Sequence, residues 1–173
     1  GRKVLNTFCY TGGFSVAALP GGAEEGVSVD LSERAVRRGE ENAVINFGSE
    51  VAHKAIACNA VEYLKDIDSD YDLIILDPPA FAKHHKVLGN ALQGYKKINA
   101  RALEKIAPGG ILFTFSCSQA VSRDLFRTTI FTAAAIARRK VRIIGQLTQP
   151  ADHPINIYHP EGEYLKGLVL YVE

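Results

Sequence analysis

Tyr71-Asp72-Leu73-Ile74-Ile75-Leu76-Asp77-Pro78-Pro79-Ala80-Phe81 is the stretch from which the rest of the chain is read. Leu73 to Leu76 are apolar without polar alternation, which suits a strand buried on both faces of a parallel sheet. Pro78 and Pro79 have no backbone donor and cannot continue the ladder, so the strand ends at Asp77. A carboxylate at the carboxyl end of a strand lies where open α/β sheets place their ligand crevice. The Pro-Pro corner then holds Phe81 as a flat surface beside it. An isolated Asp-Pro-Pro is equally a strand exit with a solvated acid. The other strand ends have to separate the two.

Upstream, residues 4–8 read as a strand, followed by the turn Cys9-Tyr10-Thr11-Gly12-Gly13-Phe14-Ser15 and an apolar helix, 16–19, that Pro20-Gly21-Gly22 stops. Residues 26–30 form a second strand, and Ser32 caps a helix over 33–46. Residues 53–57 form a third strand and 60–65 a short helix. Downstream, 82–93 is polar and basic (Lys83, His84, His85, Lys86) and reads as a surface loop. A helix over 95–107 ends at Pro108-Gly109-Gly110. A buried strand, 111–115, leads into Ser116-Cys117-Ser118, then a long helix, 122–139, and strands at 141–147 and 167–172. Strands alternating with helices imply crossover connections, hence an α/β domain with a mostly parallel sheet and helices on both faces. The last two strands are joined without a clear helix, which predicts an antiparallel terminal pair.

A length of 173 residues fits one domain with its own core, spanning 1–173. Twenty Lys+Arg against nineteen Asp+Glu leave a formal charge of +1, which argues neither for nor against a polyanionic partner. Cys9, Cys58 and Cys117 are an odd set without CxxC spacing, so neither a disulfide framework nor a zinc site is indicated. Reduced thiols in a cytoplasmic protein are the simpler reading. His84 and His85 lack companion ligands, so no metal is expected. No run is long enough to span a bilayer, and no membrane partner is expected. The chain contains no Met, and Gly1-Arg2-Lys3 leads directly into a strand, which reads as a fragment of a longer protein.

The strand ends supply the chemistry. The Gly12-Gly13 turn permits close backbone approach to a ligand, yet it lacks the full GxGxxG of a pyrophosphate binder. Asp30, at the end of the second strand, is placed to accept both hydroxyls of a ribose. Turn and acid together favour an adenosine-containing ligand over a plain structural corner. Asn59 either offers an amide to an adenine edge or caps the helix that follows it. Cys9 and Cys58 read as packing thiols. Cys117 differs, because its strand should neighbour that of Asp77, so that thiol and carboxylate face one ligand.

Taken in order, Leu5-Asn6-Thr7-Phe8-Cys9-Tyr10-Thr11-Gly12-Gly13-Phe14, Val29-Asp30, Asp77-Pro78-Pro79-Ala80-Phe81, Gly94-Tyr95-Lys96-Lys97-Ile98-Asn99, Phe115-Ser116-Cys117-Ser118, Ala151-Asp152-His153-Pro154 and Pro160-Glu161-Gly162-Glu163-Tyr164-Leu165-Lys166-Gly167 resemble a known family. It is the class I S-adenosylmethionine-dependent methyltransferases, and within them the RlmI-type 23S rRNA cytosine-5 methyltransferases. The resemblance implies a Rossmann-like sheet of seven strands with an antiparallel last strand. It implies S-adenosyl-L-methionine as cofactor, held by Phe8, Tyr10, Thr11, Gly12, Gly13, Phe14, Asp30, Asn59 and Asp77. Many relatives carry Asp where this chain has Asn59. The family's amino-terminal RNA-binding (PUA-like) domain is absent from the sequence, in keeping with a fragment. The implied partner is RNA, 23S rRNA in particular, and a homodimer is left open.

Carbon 5 of cytosine is a poor nucleophile. The resemblance assigns Cys117 to attack at carbon 6 and Asp77 to hydrogen-bond N3, which together make carbon 5 reactive. Pro78, Pro79, Phe81, Lys83, Tyr95, Lys96 and His153 are expected to border the RNA base and its phosphates. Arg138-Arg139-Lys140-Arg142 is denser in charge but closes a helix, and reads as structural. Methylation of an exocyclic guanine nitrogen on the same fold would need no thiol. A third reading is a cofactor-binding module that is inactive without its RNA-binding part.

Overall fold

In the computed structural model, which describes residues 2–81 and 87–173, seven strands form one sheet. They are β1 (Arg2–Thr7), β2 (Ala23–Asp30), β3 (His53–Ala57), β4 (Leu73–Leu76), β5 (Gly110–Ser116), β6 (Val141–Leu147) and β7 (Lys166–Val172), in spatial order β3-β2-β1-β4-β5-β7-β6. Neighbours among β1 to β5 pair in parallel, while β7 runs antiparallel to both β5 and β6. The expected mixed sheet is therefore present, with β7 as its reversed strand.

Among the described residues, five α-helices cover the sheet: α1 (Gly13–Ala18), α2 (Glu33–Phe47), α3 (Ala60–Asp66), α4 (Leu88–Lys105) and α5 (Arg123–Ala137). One face packs Leu5, Ile74, Leu76, Leu112 and Leu170 against Leu64, Tyr95, Ile98, Leu103, Phe126 and Ile130 of α3, α4 and α5. The other holds a smaller cluster, Val4, Ile75 and Phe115, with Ala18 against it. It also carries a polar chain in which Asn6 donates to Ser15 (3.0 Å), Ser15 meets Ser28 (2.7 Å) and Ser28 meets His53 (2.8 Å). Burial of β4 on both faces explains its unbroken apolar run.

Ser32 and Ser122 cap α2 and α5 by accepting the backbone N–H groups of Ala35 and Leu125. Helix α4 begins at Leu88, inside the polar loop expected over 82–93 and earlier than the helix start expected at Tyr95. Leu88, Ala91, Leu92 and Tyr95 recur at helical spacing and meet the core, so a tertiary face overrides local polarity. Among the described residues, no helix is long and apolar enough to cross a membrane.

The chain runs outward from β1 through β2 to β3, then returns to place β4 on the other flank of β1. This reversal opens a crevice beyond the carboxyl ends of β1 and β4.

Candidate active site

A cavity of about 940 Å³ lies beyond these carboxyl ends. Phe8, Tyr10, Phe14, Asp30, Asn59, Asp77, Pro78, Pro79, Phe81, Cys117 and His153 all line it. The strand exits therefore converge, and Asp77 is part of a shared crevice.

On the β1–β2 side the geometry comes from the backbone. Phe8 and Tyr10 adopt positive φ (56° and 46°), which costs free energy in residues with a Cβ and here folds the chain sharply after β1. Gly12, at φ 80°, opens α1, and a Cβ there would lie 3.3 Å from the Cα of Gly39 on α2. Two glycines thus let the turn and α2 approach closely. The Thr11 carbonyl accepts the Asn42 side-chain amide at 3.0 Å, tying the turn to α2 again. Thr11, Gly12 and Gly13, expected to touch cofactor, are not part of the cavity wall; they form the turn behind it.

The Asp30 carboxylate accepts the backbone N–H of Tyr10 with one oxygen (3.0 Å) and that of Ser32 with the other (2.9 Å). Each oxygen is oriented and retains acceptor capacity for a diol. Asn59 caps α3, its Oδ1 accepting from Val61 and Glu62, so only its amide nitrogen remains for a ligand. Leu31, Ala60 and Val61 add apolar wall that the sequence reading missed. A fixed acid beside an apolar slot fits the ribose and base of an adenosine-bearing cofactor.

The β4–β5 side is built from side chains. Among the described residues no donor meets the Asp77 carboxylate, and burial pushes its pKa up. The Cys117 Sγ lies 3.8 Å from the Pro78 carbonyl, which brings thiol and acid corner together. Burial, followed by the nearby Asp77 charge, pushes this thiol up as well. Lys166 opposes that shift electrostatically. Cys9, by contrast, is pushed up to about 12 by burial and the Asp30 charge, as an inert packing thiol would be.

Phe81 rests on α4, its ring 4.7 Å from that of Tyr95, and Gly94 leaves the room for it. Tyr95 itself corrects the sequence reading. It is fully buried and outside the cavity wall, its hydroxyl 2.9 Å from that of Ser118, so it supports the Cys117 turn from behind. Lys96, half-buried on α4, lies outside the cavity wall, and Lys83 lies outside the described residues. His153 is exposed on the loop between β6 and β7, which also brings Gln149, Pro150, Tyr164 and Leu165 to the wall. Gln149 accepts the backbone N–H groups of Tyr164 and Leu165 (2.9 and 3.4 Å), pinning that loop. The Arg138–Arg142 run is structural: Arg139 donates to the Leu103 and Ile106 carbonyls ending α4, and Arg142 pairs with Glu173. Among the described residues, no group of His, Cys, Asp and Glu has the arrangement of a metal site.

A seven-stranded sheet with one reversed strand, a glycine turn and an acid closing β2 define a class I methyltransferase site. The chain belongs to the S-adenosylmethionine-dependent methyltransferase family, whose model matches residues 1–160. Relatives named ribosomal RNA large subunit methyltransferase I are 45% identical over 98% of the chain in Aeromonas hydrophila and 44% identical over 98% in Tolumonas auensis. The chain spans 44% and 43% of their respective lengths. The crystal structure of SMU.776 complexed with SAH superposes with a TM-score of 0.83 at 27% identity, covering 99% of this chain and 45% of that one. The cofactor of the family is S-adenosylmethionine, which the cavity's donor set and apolar walls suit.

Proposed function

We propose that the chain is the catalytic part of an enzyme that methylates carbon 5 of a cytosine in large-subunit ribosomal RNA. The observation that carries this reading is a thiol, Cys117, on the same cavity wall as the acid corner Asp77-Pro78-Pro79. The ribosomal substrate is supported by the names of relatives that share nearly the whole of this chain.

Deprotonated Cys117 adds to carbon 6 of the cytosine. The S–C6 bond forms, and the carbon 5–carbon 6 π pair moves to carbon 5, conjugated through carbon 4 with N3. Burial pushes the Asp77 pKa up, and its carboxyl, hydrogen-bonded at N3, stabilises the incoming charge. The cofactor, when bound, would supply an electrophilic methyl group; carbon 5 takes it with its new electron pair, and the pair of the broken methyl–sulfur bond stays on the departing thioether. A base then removes the carbon 5 proton, the double bond re-forms, and the thiolate leaves with its pair. Phe81, seated on α4, offers a ring face at the cavity edge against which the base can pack.

Nucleoside analysis of RNA after incubation with the chain and cofactor tests the reading. The expected product is 5-methylcytidine, formed by the chain alone or after joining to the remainder of a relative. Methylated guanosine, or full transfer by Cys117→Ala, would overturn it.

A further inference from the structure

Lys166 is a cation buried to 7% exposure at the start of β7, one strand over from Cys117. Its Cα pairs across the sheet with Ser116, the residue immediately before Cys117. Its Nζ donates to the carbonyls of Ser118 (2.7 Å) and Val121 (2.5 Å), gripping the turn that follows Cys117. Among the described residues no carboxylate lies within ion-pair distance of it, and its two acceptors use two of its three N–H groups. The neighbouring Gly167 exists for the packing of Phe115, since a Cβ there would meet that ring at 2.6 Å. The register that seats Lys166 beside Cys117 is thereby fixed. A buried ammonium without a counter-ion is costly unless a negative charge arises next to it.

We infer that Lys166 is the positioning residue for the Cys117 nucleophile: it fixes the Ser118–Val121 turn and supplies the positive charge against which the thiolate forms. The inference rests on the reading of Cys117 as nucleophile. When the S–H bond breaks, the electron pair stays on sulfur and the proton passes to water in the open cavity. Lys166 stays protonated and takes no proton. The groups facing the thiol from the surrounding elements divide by sign. Asp77, from the end of β4, opposes ionisation, and Lys166, from β7, favours it. Arg123, opening α5, lies close enough to disfavour the Lys166 charge but is itself paired with Glu163. Tyr95, from α4, is a buried neutral phenol hydrogen-bonded to Ser118, and His153 lies on the cavity's outer wall. Burial pushes Lys166 down while the Cys117 charge pushes it up, the mutual dependence expected of such a pair.

Two measurements test this without any methyl transfer. The first is the rate of Cys117 alkylation by iodoacetamide against pH, resolved by peptide mass. Lys166→Met is expected to move the midpoint upward by about one pH unit, and Lys166→Arg to stay near wild type. A Lys166→Met profile that superimposes on wild type, with Cys9 still protected, would overturn the inference. The second avoids the buried substitution: an NMR titration of the Lys166 Nζ in wild type and in Cys117→Ala. Lys166 is expected to titrate at lower pH once the thiol is gone, and an unchanged midpoint would overturn the inference. Neither readout depends on the RNA base, so a failure of the cytosine-5 reading would appear in the nucleoside products and not here.

Discussion

The two walls of the cavity are made differently. The β1–β2 wall is a backbone construction: two residues with positive φ, a glycine against a glycine, and an acid held by two N–H groups. The β4–β5 wall carries two half-buried ionisable groups, Asp77 and Cys117, both pushed up by burial, with the buried Lys166 of β7, pushed down by burial, behind them. Rigid, oriented backbone suits a ligand whose shape is constant from turnover to turnover. Desolvated side chains suit a step in which charge appears and disappears, because charges interact more strongly where water is excluded. The division matches one wall for the cofactor and one for the reacting base.

Substitutions should separate the walls. Cys117→Ala is expected to lower transfer by on the order of 10³-fold or more while cofactor affinity, measured by calorimetry, stays unchanged. Because the Cys117 pKa is raised, its thiolate fraction at neutral pH is small and grows about tenfold per pH unit below that pKa. Single-turnover transfer should therefore climb through neutral and mildly alkaline pH. A flat profile there would remove the thiolate from the rate-limiting step. Asp77→Asn should lower kcat by on the order of 10²-fold. The same change removes a charge that opposes ionisation, so it should shift Cys117 alkylation to lower pH. Slower chemistry with a more reactive thiol is a signature that misfolding does not produce. On the other wall, Asp30→Ala should weaken cofactor binding by about 10- to 100-fold, equivalent to roughly 1.5–3 kcal/mol of charged hydrogen bonding. It should leave Cys117 alkylation unchanged. The smallest effect is expected from Gly12→Ala. It meets Gly39 and a left-handed backbone, and should cost about 1–2 kcal/mol of stability by denaturant unfolding.

The same contrast explains what the sequence disclosed. Strand exits are punctuated by residues with strong local meaning. Pro78-Pro79 ends β4, Gly12-Gly13 turns the chain into α1, and acids close β2 and follow β4. These were legible because proline and glycine act through their own backbone. The order of helices and strands followed from the same punctuation. Local pattern failed where distant packing decides. The start of α4 at Leu88 depends on a core that the polar neighbourhood of that segment does not announce. Tyr95 looked like a substrate contact because it lies in a motif with two lysines, yet the helical face it occupies points into the core. Nothing local marks Lys166, a lysine at a strand start, as buried. Its meaning comes from pairing with Ser116 across an antiparallel ladder formed by segments fifty residues apart.

The central claim is a covalent bond between Cys117 and carbon 6 of a cytosine. It is tested most directly with RNA carrying 5-fluorocytosine in the presence of the cofactor. Fluorine cannot leave carbon 5 as a proton does, so the enzyme should be trapped after methylation as an adduct with RNA attached to the peptide containing Cys117. That adduct is expected, and it should be absent in Cys117→Ala. Turnover of unmodified RNA without any adduct on the fluorinated RNA would contradict it.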